Sequence, residues 1–217
     1  MSVEGGPDII TNGLVLYLDA ANNRSIVSGS TTWFDLSRNG NTGSLINGPT
    51  YSSLNGGSIV FDGGNDHVVG SISAALGSQF SLSAWFKKSN NNLANLFGFQ
   101  GSPTLELLVD QTNRLNIWDG AGDHFYNFTT TINLWYNMTV VKNASNLLLY
   151  INNTPTPVLN FSATYSNSNT NLILAKHPVS NNGYLNGNIS QMLIYNFALS
   201  QKQIAQNYHA TKGRYGL

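Results

Sequence analysis

The chain has 217 residues, ten Lys or Arg against ten Asp or Glu, and only 9% charged residues, where soluble domains average roughly 25%. With 41% apolar and 11% aromatic residues it holds enough to build a core, which excludes intrinsic disorder. The balance also excludes a basic nucleic-acid surface and a polybasic membrane segment, and no apolar run approaches the ~18 residues that span a bilayer.

Short strands follow one another along the chain. Alternation with β-branched and aromatic residues predicts strands at 13–19, 58–62, 80–87, 105–110, 114–119, 135–142, 146–152, 171–176 and 187–196. Asn-Gly at 12–13, 39–40, 47–48, 55–56, 182–183 and 186–187, with Asp-Gly at 62–63 and 119–120, supplies the positive φ that tight turns need. Strands and turns at this density predict an all-β sandwich or barrel. One helix is expected near the end. Ser200 and Gln203 fit a capping box, Ile204 and Tyr208 form one apolar stripe, and Lys212-Gly213 is a plausible stop; this helix should cap an edge or end of the sandwich. No linker or repeat divides the chain, so residues 12–217 read as one domain preceded by an extended arm, 1–11, in which Val3, Pro7, Ile9 and Ile10 are the candidate partner contacts.

The surface is solvated by neutral groups, since the sequence holds 31 Asn, 23 Ser and 16 Thr. Such a surface is little affected by salt or pH and suits the outside of a cell; AT-rich coding is the alternative source of the Asn. There are no cysteines, so disulfides and Cys-based metal sites are excluded. The start, Met1 to Pro7, lacks the basic and apolar regions of a secretory signal.

Catalytic chemistry finds little material. Glycoside hydrolysis needs two carboxyls about 5 to 9.5 Å apart. The chain has two Glu, Glu4 and Glu106, and eight Asp. Glu106 and Asp110 share a strand face, but at ~3.3 Å per residue they stand about 13 Å apart. The four His, at 67, 124, 177 and 209, sit in no nucleophile motif. The expectation is a protein that is not an enzyme. Calcium is a possible cofactor. Asp62 and Asp66, ending a short Gly-rich turn, offer carboxylate and backbone oxygens of the kind calcium takes, although Asp and Gly are also simply good turn formers. Asp119 to Asp123 has the same shape. The stretch from Trp118 to Tyr126 is the best glycan candidate. Read as a loop, it places the aromatics Trp118 and Tyr126 beside Asp119, Asp123 and His124. Trp85 and Trp135 are expected in the core.

Three segments together resemble the concanavalin A-like, laminin-G-type jelly rolls. Ser58–Val68, holding Phe61-Asp62-Gly63-Gly64-Asn65-Asp66, precedes Phe80-Ser81-Leu82-Ser83-Ala84-Trp85-Phe86. Trp135–Val140 is paired with Leu147–Asn152. Leu185–Ser200 runs into the predicted helix. The resemblance implies a two-sheet antiparallel jelly roll with one short C-terminal helix. Two departures stand out. Ser190-Gln191 replaces an acidic pair of the family, and His67 replaces an aromatic. Domains opening like Gly13–Ala20 and closing like Gly213–Leu217 look similar to structural proteins of tailed bacteriophages.

Together these features lead to the expectation of a non-enzymatic virion-surface protein of a bacteriophage. It would be a capsid decoration or cement protein, made in the host cytoplasm, whose arm contacts the major capsid protein or another virion protein. A homo-oligomer on the virion is possible. The alternative is a lectin-like, carbohydrate-binding module.

Overall fold

The computed structural model describes residues 7–102 and 104–217. Among them the strands, in chain order, are β1 (Leu14–Asp19), β2 (Thr32–Trp33), β3 (Gly43–Ile46), β4 (Thr50–Ser52), β5 (Ser58–Asp62), β6 (His67–Ser71), β7 (Phe80–Lys88), β8 (Ala94–Phe99), β9 (Leu105–Val109), β10 (Arg114–Trp118), β11 (Asp123–Thr129), β12 (Trp135–Asn143), β13 (Asn146–Ile151), β14 (Leu159–Ser162), β15 (Asn171–Leu174) and β16 (Asn186–Tyr195), followed by helix α1 (Gln201–Thr211). They form two eight-stranded sheets. The first runs β14-β13-β12-β7-β16-β5-β4, with β1 also on β16; the second runs β11-β10-β9-β8-β15-β6-β3-β2. This is the expected two-sheet antiparallel sandwich with one short C-terminal helix.

The nine strands predicted from alternation all form, with ends moved by a residue or two. Among the strands that alternation missed, β8 is a mostly apolar run broken by Asn95 and Gly98 with a register shift between Asn95 and Phe97, and β11 is a polar-aromatic mixture. Neither gives a clean two-residue period. Left-handed backbone explains part of the Asn richness. Among the described residues, Asn47, Asn55, Asn113, Asn133, Asn152 and Asn153 have positive φ, against only Arg38 and Ala175 of other non-glycine types. Asn tolerates that region because its short amide can bond locally.

The main core lies between the sheets, built from alternate residues of each strand, such as Leu82, Phe86, Met138 and Ile194 facing Phe97, Leu107, Leu115 and Ile117. The outer face of the first sheet is covered as well. Trp85 points outward and is fully buried there, stacked by Tyr215 at 4.1 Å and Tyr208 at 5.5 Å, with its indole N–H donating to Thr211 Oγ1 at 2.8 Å. Trp85 and Trp135 are therefore buried as expected, but in a second cluster under the C-terminal segment rather than between the sheets. Helix α1 lies across the sheet face, not at an edge. Ser200 caps it, with Gln203 completing the box.

The described part of the expected arm, residues 7–11, packs on its own domain. Ile9 and Ile10 join the cluster of Val141, Leu193, Tyr195, Leu199 and Ile204. The Ile10 amide donates to Asn207 Oδ1 at 2.8 Å and its carbonyl accepts from Tyr195 Oη at 2.9 Å; Gln206 Nε2 donates to the Asp8 carbonyl at 2.7 Å. Burying two isoleucines beside the helix is worth a few kcal/mol, at roughly 25 cal/mol per Å², and this makes the arm part of the fold. Pro7 lines a shallow cavity beside Tyr17 and Arg214; Val3 lies outside the described residues.

Candidate functional site: the outer face of the second sheet

With the middle of the first sheet covered on both sides, the outer face of the second is an open β-surface. Strand alternation decides what it displays. In β9 and β10, Leu105, Leu107, Val109, Leu115 and Ile117 enter the core, so Glu106, Leu108, Asn116 and Trp118 face outward. Register aligns them across strands. Trp118 is paired with Glu106 on one side and Asp123 on the other, and Glu106 continues to Gly98 and Ile173. The adjoining row is Phe125, Asn116, Leu108 and Asn95.

Part of this face is roofed by the segment 176–184. Gly98 permits it, because a β-carbon there would meet Pro178 Cγ at 2.9 Å. The segment is held by the Asn95 amide, which donates to the Gly183 carbonyl at 2.8 Å. His177 Nδ1 accepts from the backbone amides of Val179 at 3.1 Å and Ser180 at 3.0 Å. That places the ring hydrogen on Nε2, which faces Glu106 Oε2 at 3.5 Å. Glu106 is 5% exposed and accepts from Asn95 Nδ2 at 2.7 Å. Burial raises its pKa, and the Asp123 charge adds to this, against the pull of His177 and Asn95. Asn95 Oδ1 is buried without a partner.

Beyond this roof the β10–β11 strip carries aromatics and amides together. Phe125 is 47% exposed and lies under the Arg114 guanidinium, 4.7 Å from the ring centre. Arg114 Nε and Nη2 each reach Asp110 Oδ2 at 2.9 Å. Burial pushes Asp110 up, but hydrogen bonds from Thr112 and Arg114 outweigh it and hold the carboxyl below its ordinary value. Asn116 Nδ2 donates to Asp123 Oδ1 at 2.5 Å, and its carbonyl accepts the His124 amide at 3.1 Å. The half-buried Trp118 and exposed Phe125 thus flank a fixed amide and an exposed carboxylate.

The glycan candidates are divided by this geometry. The stretch expected as a loop is largely strand β11, so its side chains alternate between faces. Trp118 and Asp123 come together outside. His124 and Tyr126 point to the opposite side: His124 stacks on Phe161 with ring centres 3.5 Å apart, and Tyr126 packs against the core. Asp119 builds the turn, accepting from the amides of Ala121 and Gly122 at 3.0 Å each and facing His124 Nε2 at 3.3 Å. Sequence reasoning missed Asn116 on this face and, although Phe125 lies within the candidate stretch, did not single it out. Extending the alternation of 114–118 across the Asp-Gly turn would have found both.

Asp62 and Asp66 act as turn builders. Asp62 Oδ1 accepts from the Gly64 amide at 2.7 Å, and Asp66 Oδ2 accepts from the Asp62 amide at 3.2 Å. Burial raises Asp66, with the neighbouring Asp62 charge adding to it. Among the described residues no three His, Cys, Asp or Glu gather at metal-ligand spacing.

No curated protein sequence matches this chain. Solved structures share its fold at low identity. The binding domain of botulinum neurotoxin serotype G superposes with a TM-score of 0.68 at 14% identity, over 90% of this chain and 50% of that one. The binding domain of Paraclostridial Mosquitocidal Protein 1 gives 0.70 at 18%, over 91% and 52%. Trypanosoma rangeli sialidase in complex with sialic acid gives 0.70 at 14%, over 96% and 35%. The chain thus spans about half the length of the toxin domains and about a third of the sialidase. Residues 62–205 match a laminin-G-type family profile described as the concanavalin A-like lectin/glucanases superfamily, which covers most of the sandwich and runs into the helix. The chain belongs to the concanavalin A-like lectin/glucanases superfamily.

Proposed function

We propose that this chain is a non-enzymatic glycan-recognition module whose contact surface is the β10–β11 strip. The observation that carries this reading is the outward row in which Trp118 stands beside Asp123, next to Asn116 and Phe125. Aromatic faces stack on the C–H faces of sugars while amides and carboxylates bond their hydroxyls, the mixture expected of a site for a polar but ring-shaped ligand. The superfamily supports a glycan as the ligand class. Against a hydrolytic role, Glu106 is buried and engaged by Asn95, and Asp110 is engaged by Arg114. Ile9 and Ile10 pack on their own domain, so of the described arm candidates Pro7 is the one left exposed.

Glycan-array binding tests the proposal. Trp118→Ala and Phe125→Ala should each weaken binding about tenfold or more, as truncated aromatic anchors do, with the thermal midpoint little changed. Undiminished binding by both variants would place the ligand elsewhere.

A further inference from the structure

The strip is short of free donors toward solvent. Asn116 is bonded at both ends of its amide, to Asp123 Oδ1 and to the His124 N–H. Arg114 has Nε and Nη2 on Asp110, which pairs its charge and leaves Nη1 as its remaining donor. The His177 Nε2 hydrogen faces Glu106. Lys88, the other cation at the β9–β10 turn, is buried and donates to the Asp110 carbonyl at 2.9 Å and Asn113 Oδ1 at 3.0 Å. The donor left on Trp118, its indole N–H, is neutral. The acceptors are in surplus. Asp123 is exposed, and Asn116 meets its Oδ1 at 2.5 Å, leaving Oδ2 for a ligand.

We infer that this face selects uncharged, hydroxyl-rich glycans over sialylated, uronate-bearing or sulfated ones, with the Asp123 carboxylate as the specificity-determining group; this rests on the glycan reading above. A sugar hydroxyl can donate to Asp123, and a hydrogen bond to a charged acceptor is stronger than one between neutral groups. A carboxylate or sulfate has no proton to donate and meets a like charge. Discrimination here is therefore repulsive as well as attractive.

The probe is a panel of neutral gluco-, manno- and galacto-oligosaccharides, each beside its sialylated, uronate-bearing or sulfated counterpart, measured on the wild-type chain and on Asp123→Asn. The expected result is binding to one or more neutral members, with the charged counterpart at least about tenfold weaker. Asp123→Asn should lose about tenfold for the neutral glycan, the size of a hydrogen bond to a charged group, and narrow the gap between the pair. Should that variant misfold, the wild type alone answers. Raising NaCl from about 0.05 to about 0.5 M should narrow the gap by screening the repulsion while leaving the neutral affinity unchanged. A preference for the charged member, or equal binding to both, overturns the inference and leaves the glycan reading standing. No binding to any member, or binding indifferent to Trp118→Ala, overturns both.

Discussion

Lys88 carries the sharpest residue-scale consequence. Its amine is 1% exposed with its residue, and burial pushes it down to about 8 from 10.5, the Asp110 charge recovering only part. Between those values the unfolded chain keeps a proton that the folded chain has shed. Stability must therefore rise with pH across that window, by as much as about 3 kcal/mol at 1.36 kcal/mol per unit. Buried tyrosines set the upper limit. Tyr195 and Tyr215 are raised by burial, so above pH ~10 the unfolded chain deprotonates first and stability falls. Denaturant titrations from pH 7 to 10 should show the rise in the wild type and a flat profile in Lys88→Met. A wild-type profile that is flat or falling over that range would show that Lys88 keeps its proton in the folded state.

At the scale of elements, β16 is the strand on which the first sheet depends. It pairs with β7 along its whole length, while β5 and β1 share its other edge. The two meet at a bulge at Ser190, whose hydroxyl donates to the Gly57 carbonyl at 2.6 Å and accepts from Tyr215 Oη at 2.8 Å, and whose carbonyl accepts the Ala20 amide at 2.8 Å. The family's acidic residue at this position would bring a charge into a fully buried junction. The serine instead ties β1, β5 and the C-terminal segment together. Gly57 makes the junction possible, with φ of 135° and room for no β-carbon, which would sit 2.1 Å from the Ala20 carbonyl oxygen. Gly57→Ala should cost more than about 3 kcal/mol in unfolding free energy. Gly29→Ala, at φ of 82° with nothing within 4 Å, should cost only about 1–2 kcal/mol of left-handed strain. Similar losses at the two sites would mean that the close approach at Ala20 is readily relieved.

For the whole molecule, the thin charge matters more than its balance. Among the described residues few ion pairs are exposed, and the fold is held by apolar contact and amide hydrogen bonds, which salt screens little. The thermal midpoint should move by less than about 2 °C between roughly 0.05 and 1 M NaCl. A shift well beyond that would reveal electrostatic contributions that the charge pairs do not suggest. The sandwich also divides its labour. The first sheet is closed by α1 and residues 7–11 and serves stability, which leaves the second sheet to display a surface.

The amino-acid order determined the class of fold, most of its strands and the capped helix. Each follows from local periods, turn dipeptides and composition, which act over a few residues. Tertiary structure decided where the helix and the arm lie, because both choices depend on which sheet face offers apolar area, and the two sheets look alike in alternation. It also decided which residues the candidate site presents. Whether Trp118, Asp123, His124 and Tyr126 share a face turns on whether their segment is loop or strand, and β11 becomes a strand only by pairing with β10. Pairing supplies the backbone hydrogen bonds that fix a two-residue alternation, and this sent half of the predicted residues inward and brought Asn116 and Phe125 out beside the rest.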